Sequence, residues 1–91
     1  MVYLITYDLN HPGQDYGGLI PAIEKCAING ACHSFWKSSY LIQSNLSPED
    51  IYINLRSHLD ENDKMLIAEV NGKHYAWSNQ DELKILKSIP G

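Results

Sequence analysis

The sequence predicts an α+β fold with the element order β-α-β-β-α-β, an antiparallel sheet, an added fifth strand and a short C-terminal helix. Three observations predict it. Val2 to Leu9 and Met65 to Val70 are near-continuous runs of β-branched, aromatic and aliphatic residues, the pattern of strands buried on both faces. Between them stand two helix-periodic segments separated by two short strand-like stretches. Asn71-Gly72 then supplies the two-residue turn chemistry of a hairpin.

The elements follow in order. His11-Pro12-Gly13-Gln14-Asp15 breaks the first strand with turn residues. Leu19, Ile20, Ile23, Cys26 and Ala27 recur at the spacing of one helix face, with Pro21 placed near the first turns. Asn29-Gly30 stops that helix, because glycine accepts the left-handed cap without penalty. Ala31 to Lys37 and Ser39 to Ser44 read as two strands joined at Lys37-Ser38-Ser39. Ser47-Pro48-Glu49-Asp50 opens a second helix: Ser47 caps, Pro48 fits the first position, and the acids face the positive end of the dipole. Ile51, Tyr52, Leu55 and Leu59 are expected to form its buried stripe. Asp60-Glu61-Asn62-Asp63 is a solvated loop without the glycine and terminal glutamate of a calcium-binding loop. After Asn71-Gly72, Lys73 to Trp77 forms the fifth strand, with Tyr75 and Trp77 on one face and His74 and Ala76 on the other. Trp77 is expected to be substantially buried beside the terminal helix. That helix opens on the capping box Asn79-Gln80-Asp81-Glu82 and carries Leu83, Ile85, Leu86 and Ile89. This is the split-βαβ order of ferredoxin-like folds, in one domain over 1–91, with a core of 1–70 and a C-terminal strand and helix over 71–91.

Composition narrows the functional classes. With 91 residues and 44% apolar content, the chain supports one thin core, which dimerisation would supplement. Its start is too short for a membrane span and lacks the basic flank of a signal peptide, so a cytoplasmic protein with no membrane partner is expected. A net charge of −4 argues against broad, non-specific nucleic-acid binding. Cys26 and Cys32 are too few for a disulfide scaffold, and a zinc set of Cys26, Cys32 and His33 lacks a fourth ligand and a familiar spacing. Two partly buried thiols are the simpler reading.

Most catalytic signatures are missing: no phosphate-binding glycine loop, no GxSxG, no paired-histidine zinc motif. His11, His33, His58 and His74 are scattered over different elements and read as surface or half-buried residues. Asp8 stands out at the end of the first strand. Its carboxylate must be solvated, hydrogen-bonded or metal-bound, and an Asx-type turn competes with a metal role. One carboxylate makes a poor magnesium site, but a symmetric dimer supplies two. Trp36, Lys37, Ser38 and Ser39 offer a ring, a cation and hydroxyls to a nucleic acid, against packing of Trp36 in the core or a dimer interface. Tyr16 and Trp77 read as packing residues.

Val2-Tyr3-Leu4-Ile5-Thr6-Tyr7-Asp8-Leu9 resembles the opening strand of the smaller CRISPR-associated adaptation protein and of the virulence-associated protein D ribonucleases. Phe35 to Ile42 resembles their second-to-third strand passage, and Met65 to Val70 their fourth strand. The resemblance implies a homodimer in which Asp8 of each subunit faces its counterpart, in some members holding Mg2+ or Mn2+ for phosphodiester cleavage. It also implies that strand 73–77 crosses to the partner's fourth strand, whereas the turn chemistry favours an intrachain hairpin. The chain departs from the family at Asn10 to Tyr16, which lacks the basic residues that commonly follow the first strand. Two functions are therefore expected: a metal-dependent endoribonuclease acting through Asp8, or a non-catalytic dimeric scaffold or regulatory module that binds RNA, DNA or a protein partner.

Overall fold

A computed structural model describes residues 1–10, 18–73 and 75–87. The elements are β1 (Val2–Asp8), α1 (Leu19–Cys26), β2 (Cys32–Trp36), β3 (Ser39–Gln43), α2 (Pro48–Leu55), β4 (Lys64–Val70) and α3 (Gln80–Lys87). The four strands form one sheet in the order β2-β3-β1-β4, with every neighbouring pair antiparallel. Leu4 sits opposite Leu41 on one side and Ala68 on the other, and Asp8 sits opposite Lys64.

Strand alternation divides the core between the two faces of this sheet. Tyr3 and Ile5 of β1 and Ile42 of β3 point to the face covered by α1 and α2, where they pack with Leu19, Ile23, Ile51 and Leu55. The even-numbered residues Val2 and Leu4 turn to the opposite face, where Leu41 meets Leu86 of α3. The buried stripe of α1 is Leu19, Ile23 and Cys26, as its helical spacing requires. α1 ends earlier than expected, at Cys26 with Ala27 extended, and Asn29 and Gly30, both at positive φ, lie in the 3-10 turn Ile28–Gly30 that follows. At the start of α2 the Ser47 hydroxyl accepts a bond from the Asp50 N–H at 3.1 Å, with Pro48 in the first turn.

Ser44 clasps the two helical segments to the sheet. Its side chain is fully buried, and its hydroxyl donates to the Cys26 carbonyl at 2.6 Å while accepting from the Leu46 N–H at 3.1 Å. Both polar groups of the end of α1 and the start of the next loop are thereby satisfied in the interior.

The structure corrects several expectations. Tyr52 is not part of the buried stripe of α2 but half exposed, and Leu59 lies beyond the helix. β4 is not buried on both faces; its Leu66 is 59% exposed. No fifth strand forms among the described residues of 73–77, and Trp77, expected in the core, is 95% exposed. The reason lies at Asn71, whose side-chain oxygen accepts the Lys73 N–H at 2.8 Å. That Asx turn spends a donor that a hairpin would have offered to β4. The chain instead runs on to α3, where Asn79 accepts the Glu82 N–H at 2.9 Å and the Ser78 hydroxyl donates to the Glu82 carboxylate. The expectations for His11 to Tyr16, His74 and Ile89 fall outside the described residues. No helix of the described residues is long and apolar enough to cross a membrane.

Candidate functional site

Asp8 is the last residue of β1 and is exposed, with Lys64 directly across the ladder on β4. Thr6 shares its face by strand alternation. The turn between β2 and β3 docks on this end of β1. Ser38, at φ 61°, presents its carbonyl to the Tyr7 N–H at 3.0 Å and the Thr6 hydroxyl at 3.4 Å. The Ser39 hydroxyl donates to the Thr6 hydroxyl at 3.0 Å.

These bonds bring Asp8 and Trp36 to Ser39 to one end of the sheet. They do not leave all four turn residues open to a ligand. Trp36 is 51% exposed, following a bulge in β2 that shifts its pairing, and Lys37 is exposed. Ser38 is half-buried. Ser39 is buried with its hydroxyl on Thr6, so it holds the turn in place. Trp36 is therefore in neither buried cluster of the described residues.

One residue at this end escaped sequence reasoning. Asp63 accepts the Asn10 N–H at 2.7 Å through one carboxylate oxygen and the Asp60 N–H at 2.9 Å through the other. Asp60 in turn accepts the Asn62 N–H at 2.8 Å. The acidic loop thus pins the chain just past β1. Its signal was the Asp60-Asn62-Asp63 turn chemistry, but the strand register that puts Asp63 beside Asn10 is not written locally.

Two grooves meet at the start of β4. One, about 230 Å³, is lined by Thr6, Asp8 and Leu66; the other, about 790 Å³, by Tyr52, Arg56 and Ser57. Lys64 and Met65 line both.

On the opposite face of β1, the Tyr7 and Tyr40 rings stack with centroids 6.4 Å apart and planes 15° from parallel. Burial, then the neighbouring Tyr40 and its hydrogen bond, raises the Tyr7 phenol above its ordinary value of 10.0. The folded chain therefore holds a proton that the unfolded chain releases, and stability falls as pH rises above 10.0. Ultraviolet titration should show a late-ionising tyrosine component that is lost in Tyr7→Phe; an unchanged titration in that variant would refute the assignment.

Cys26 and Cys32 are both free, and burial raises both thiols, joined at Cys32 by the charge of Glu24. Cys26 is buried while His33 is exposed, and among the described residues no three His, Cys, Asp or Glu side chains converge to hold a metal. Asp8 in one chain is a single carboxylate facing an ammonium-bearing neighbour across the ladder. That is a sparse donor set for a divalent ion, which usually takes one or two carboxylates together with water and substrate phosphate. No protein-family model, curated protein or solved structure matches the chain.

Proposed function

We propose that this chain acts as a homodimeric, metal-dependent endoribonuclease of the kind whose opening strand it resembles, with Asp8 contributed by each copy. The observation that carries the reading is the exposed Asp8 at the end of β1, with the turn that carries Trp36 and Lys37 docked at the same end of the sheet through Ser38. The antiparallel order β2-β3-β1-β4 supports reading the fold as ferredoxin-like. In this reading the two Asp8 carboxylates together supply what one chain lacks, and Mg2+ or Mn2+ would stabilise charge on the scissile phosphate. The chain's own residues do the positioning: Trp36 offers a stacking ring and Lys37 a cation to the RNA.

A specific observation favours a second reading, a non-catalytic scaffold. Leu66, Tyr75 and Trp77 join Trp36 as large exposed apolar side chains, the material of a docking surface. The two readings part in one experiment. Wild type and Asp8→Asn are compared on single-stranded RNA with Mg2+ or Mn2+, and their mass is measured by sedimentation. The nuclease reading expects a dimer whose cleavage falls to background in the variant. Equal cleavage by both proteins removes Asp8 from the mechanism, and a wild type that never cleaves leaves the scaffold.

A further inference from the structure

We propose that the two grooves meeting at Lys64 form one continuous path for a single RNA strand, leading from Asp8 around the start of β4 to Arg56. The inference rests on the ribonuclease reading and extends it, because it says where the substrate lies beyond the reacting phosphate. Three features carry it. Lys64 and Met65 line both grooves, which therefore adjoin around the start of the edge strand β4. The larger groove, at about 790 Å³, is in the range that receives a nucleotide-sized ligand. Its lining pairs cations with an aromatic ring: Lys64 and Arg56 at separate points and Tyr52, 48% exposed, on the helix wall.

That combination recognises an unpaired strand. Phosphates take the ammonium and guanidinium groups, and a splayed base stacks on the phenol ring. A duplex keeps its bases stacked and has no use for the ring. The groove also carries Asp60, Glu61 and Asp63, which oppose an anion. Asp63 turns both oxygens, and Asp60 one, to backbone N–H groups of Asn10, Asp60 and Asn62, so two of these three carboxylates are folded onto the loop. The same acids make the affinity modest, and because salt screens their repulsion of phosphate as well, the salt dependence stays shallow. The half-exposure of Tyr52, unexplained by packing in α2, gains a role here.

The test is binding in EDTA, where cleavage by a metal enzyme is silent. The probe is a fluorescein-labelled single-stranded RNA ten nucleotides long, read by anisotropy at low salt, with a duplex DNA of the same length as comparison. Tyr52→Ala should weaken binding about tenfold with an unchanged salt slope, and Tyr52→Phe should bind as wild type. Arg56→Ala and Lys64→Ala should each reduce the magnitude of the salt slope by about 0.7. Lys25→Ala, on the exposed side of α1, should change nothing. Circular dichroism checks that each variant is folded. Wild-type affinity that is absent, equal for duplex DNA, or untouched by all three groove substitutions overturns the path. If Asp8→Asn abolishes cleavage while groove variants bind normally, the path fails and the nuclease stands. If the groove variants lose binding but wild type never cleaves with Mg2+ or Mn2+, the nuclease fails and the path stands.

Discussion

A chain cut after Gly72 should lose much of its stability and tend to aggregate. The cut removes α3, whose Leu86 is buried and whose Leu83 and Ile85 pack half-buried around it against the sheet. Burying such a side chain fully contributes about 1.5–3 kcal/mol, so the helix as a whole is expected to supply about 3–5 kcal/mol. That is a large share of the roughly 5–15 kcal/mol that holds a typical domain folded. At about 4–8 °C per kcal/mol, the melting temperature should fall by roughly 12–40 °C. The cut also bares Leu41, Leu4, Val2 and Val70, a contiguous apolar strip that invites association. Leu86→Asp, which keeps the arm and charges the contact, separates the helix from the segment before it and should reproduce most of the loss. A cut chain that melts at the wild-type temperature would show that α3 does not hold this face.

The second large effect is expected at Ile5. It is fully buried at the centre of β1, between the helices and the β3 and β4 partners Tyr40 and Ile67. Ile5→Ala removes buried methyl groups where the sheet cannot collapse around the gap, which typically costs about 2–5 kcal/mol. Leu66→Ser, one strand away on an exposed position, should stay within about 0.5 kcal/mol. Urea unfolding measures both. A small loss at Ile5, or a similar loss at Leu66, would mean that the core does not lie between β1 and the two helices.

The contrast between Ile5 and Leu66 also shows what could be read from residues alone. The apolar run of β1, the Leu19-Ile23-Cys26 stripe and the Ser47-Pro48 start of α2 are local signals, and the elements lie where they put them. Asn71-Gly72 failed because one dipeptide serves two purposes. A hairpin uses its backbone conformation, whereas here the Asn71 side chain takes the Lys73 N–H and sends the chain elsewhere. Tyr52 and Trp77 were misplaced for a different reason: a large aromatic residue looks like core in sequence, and only the packed sheet shows that the core is filled by other side chains. At the candidate site, Asp8 was visible because it ends an apolar run. The bonds from Thr6 to the Ser38 turn and from Asp63 to Asn10 join residues more than thirty positions apart, and no local pattern encodes them.

The exposed positions of Trp36 and Trp77 have a practical consequence for optical work on this chain. These are its two tryptophans, and neither indole is enclosed by the core. The Trp77 indole, 95% exposed, should already emit like a solvated indole in the native state, so only the half-covered Trp36 can report unfolding, and melting curves followed at that wavelength will look shallow. Quenching by iodide or acrylamide should reach both rings in the isolated chain. A blue shift with loss of quenching would then report something other than folding: a surface being covered.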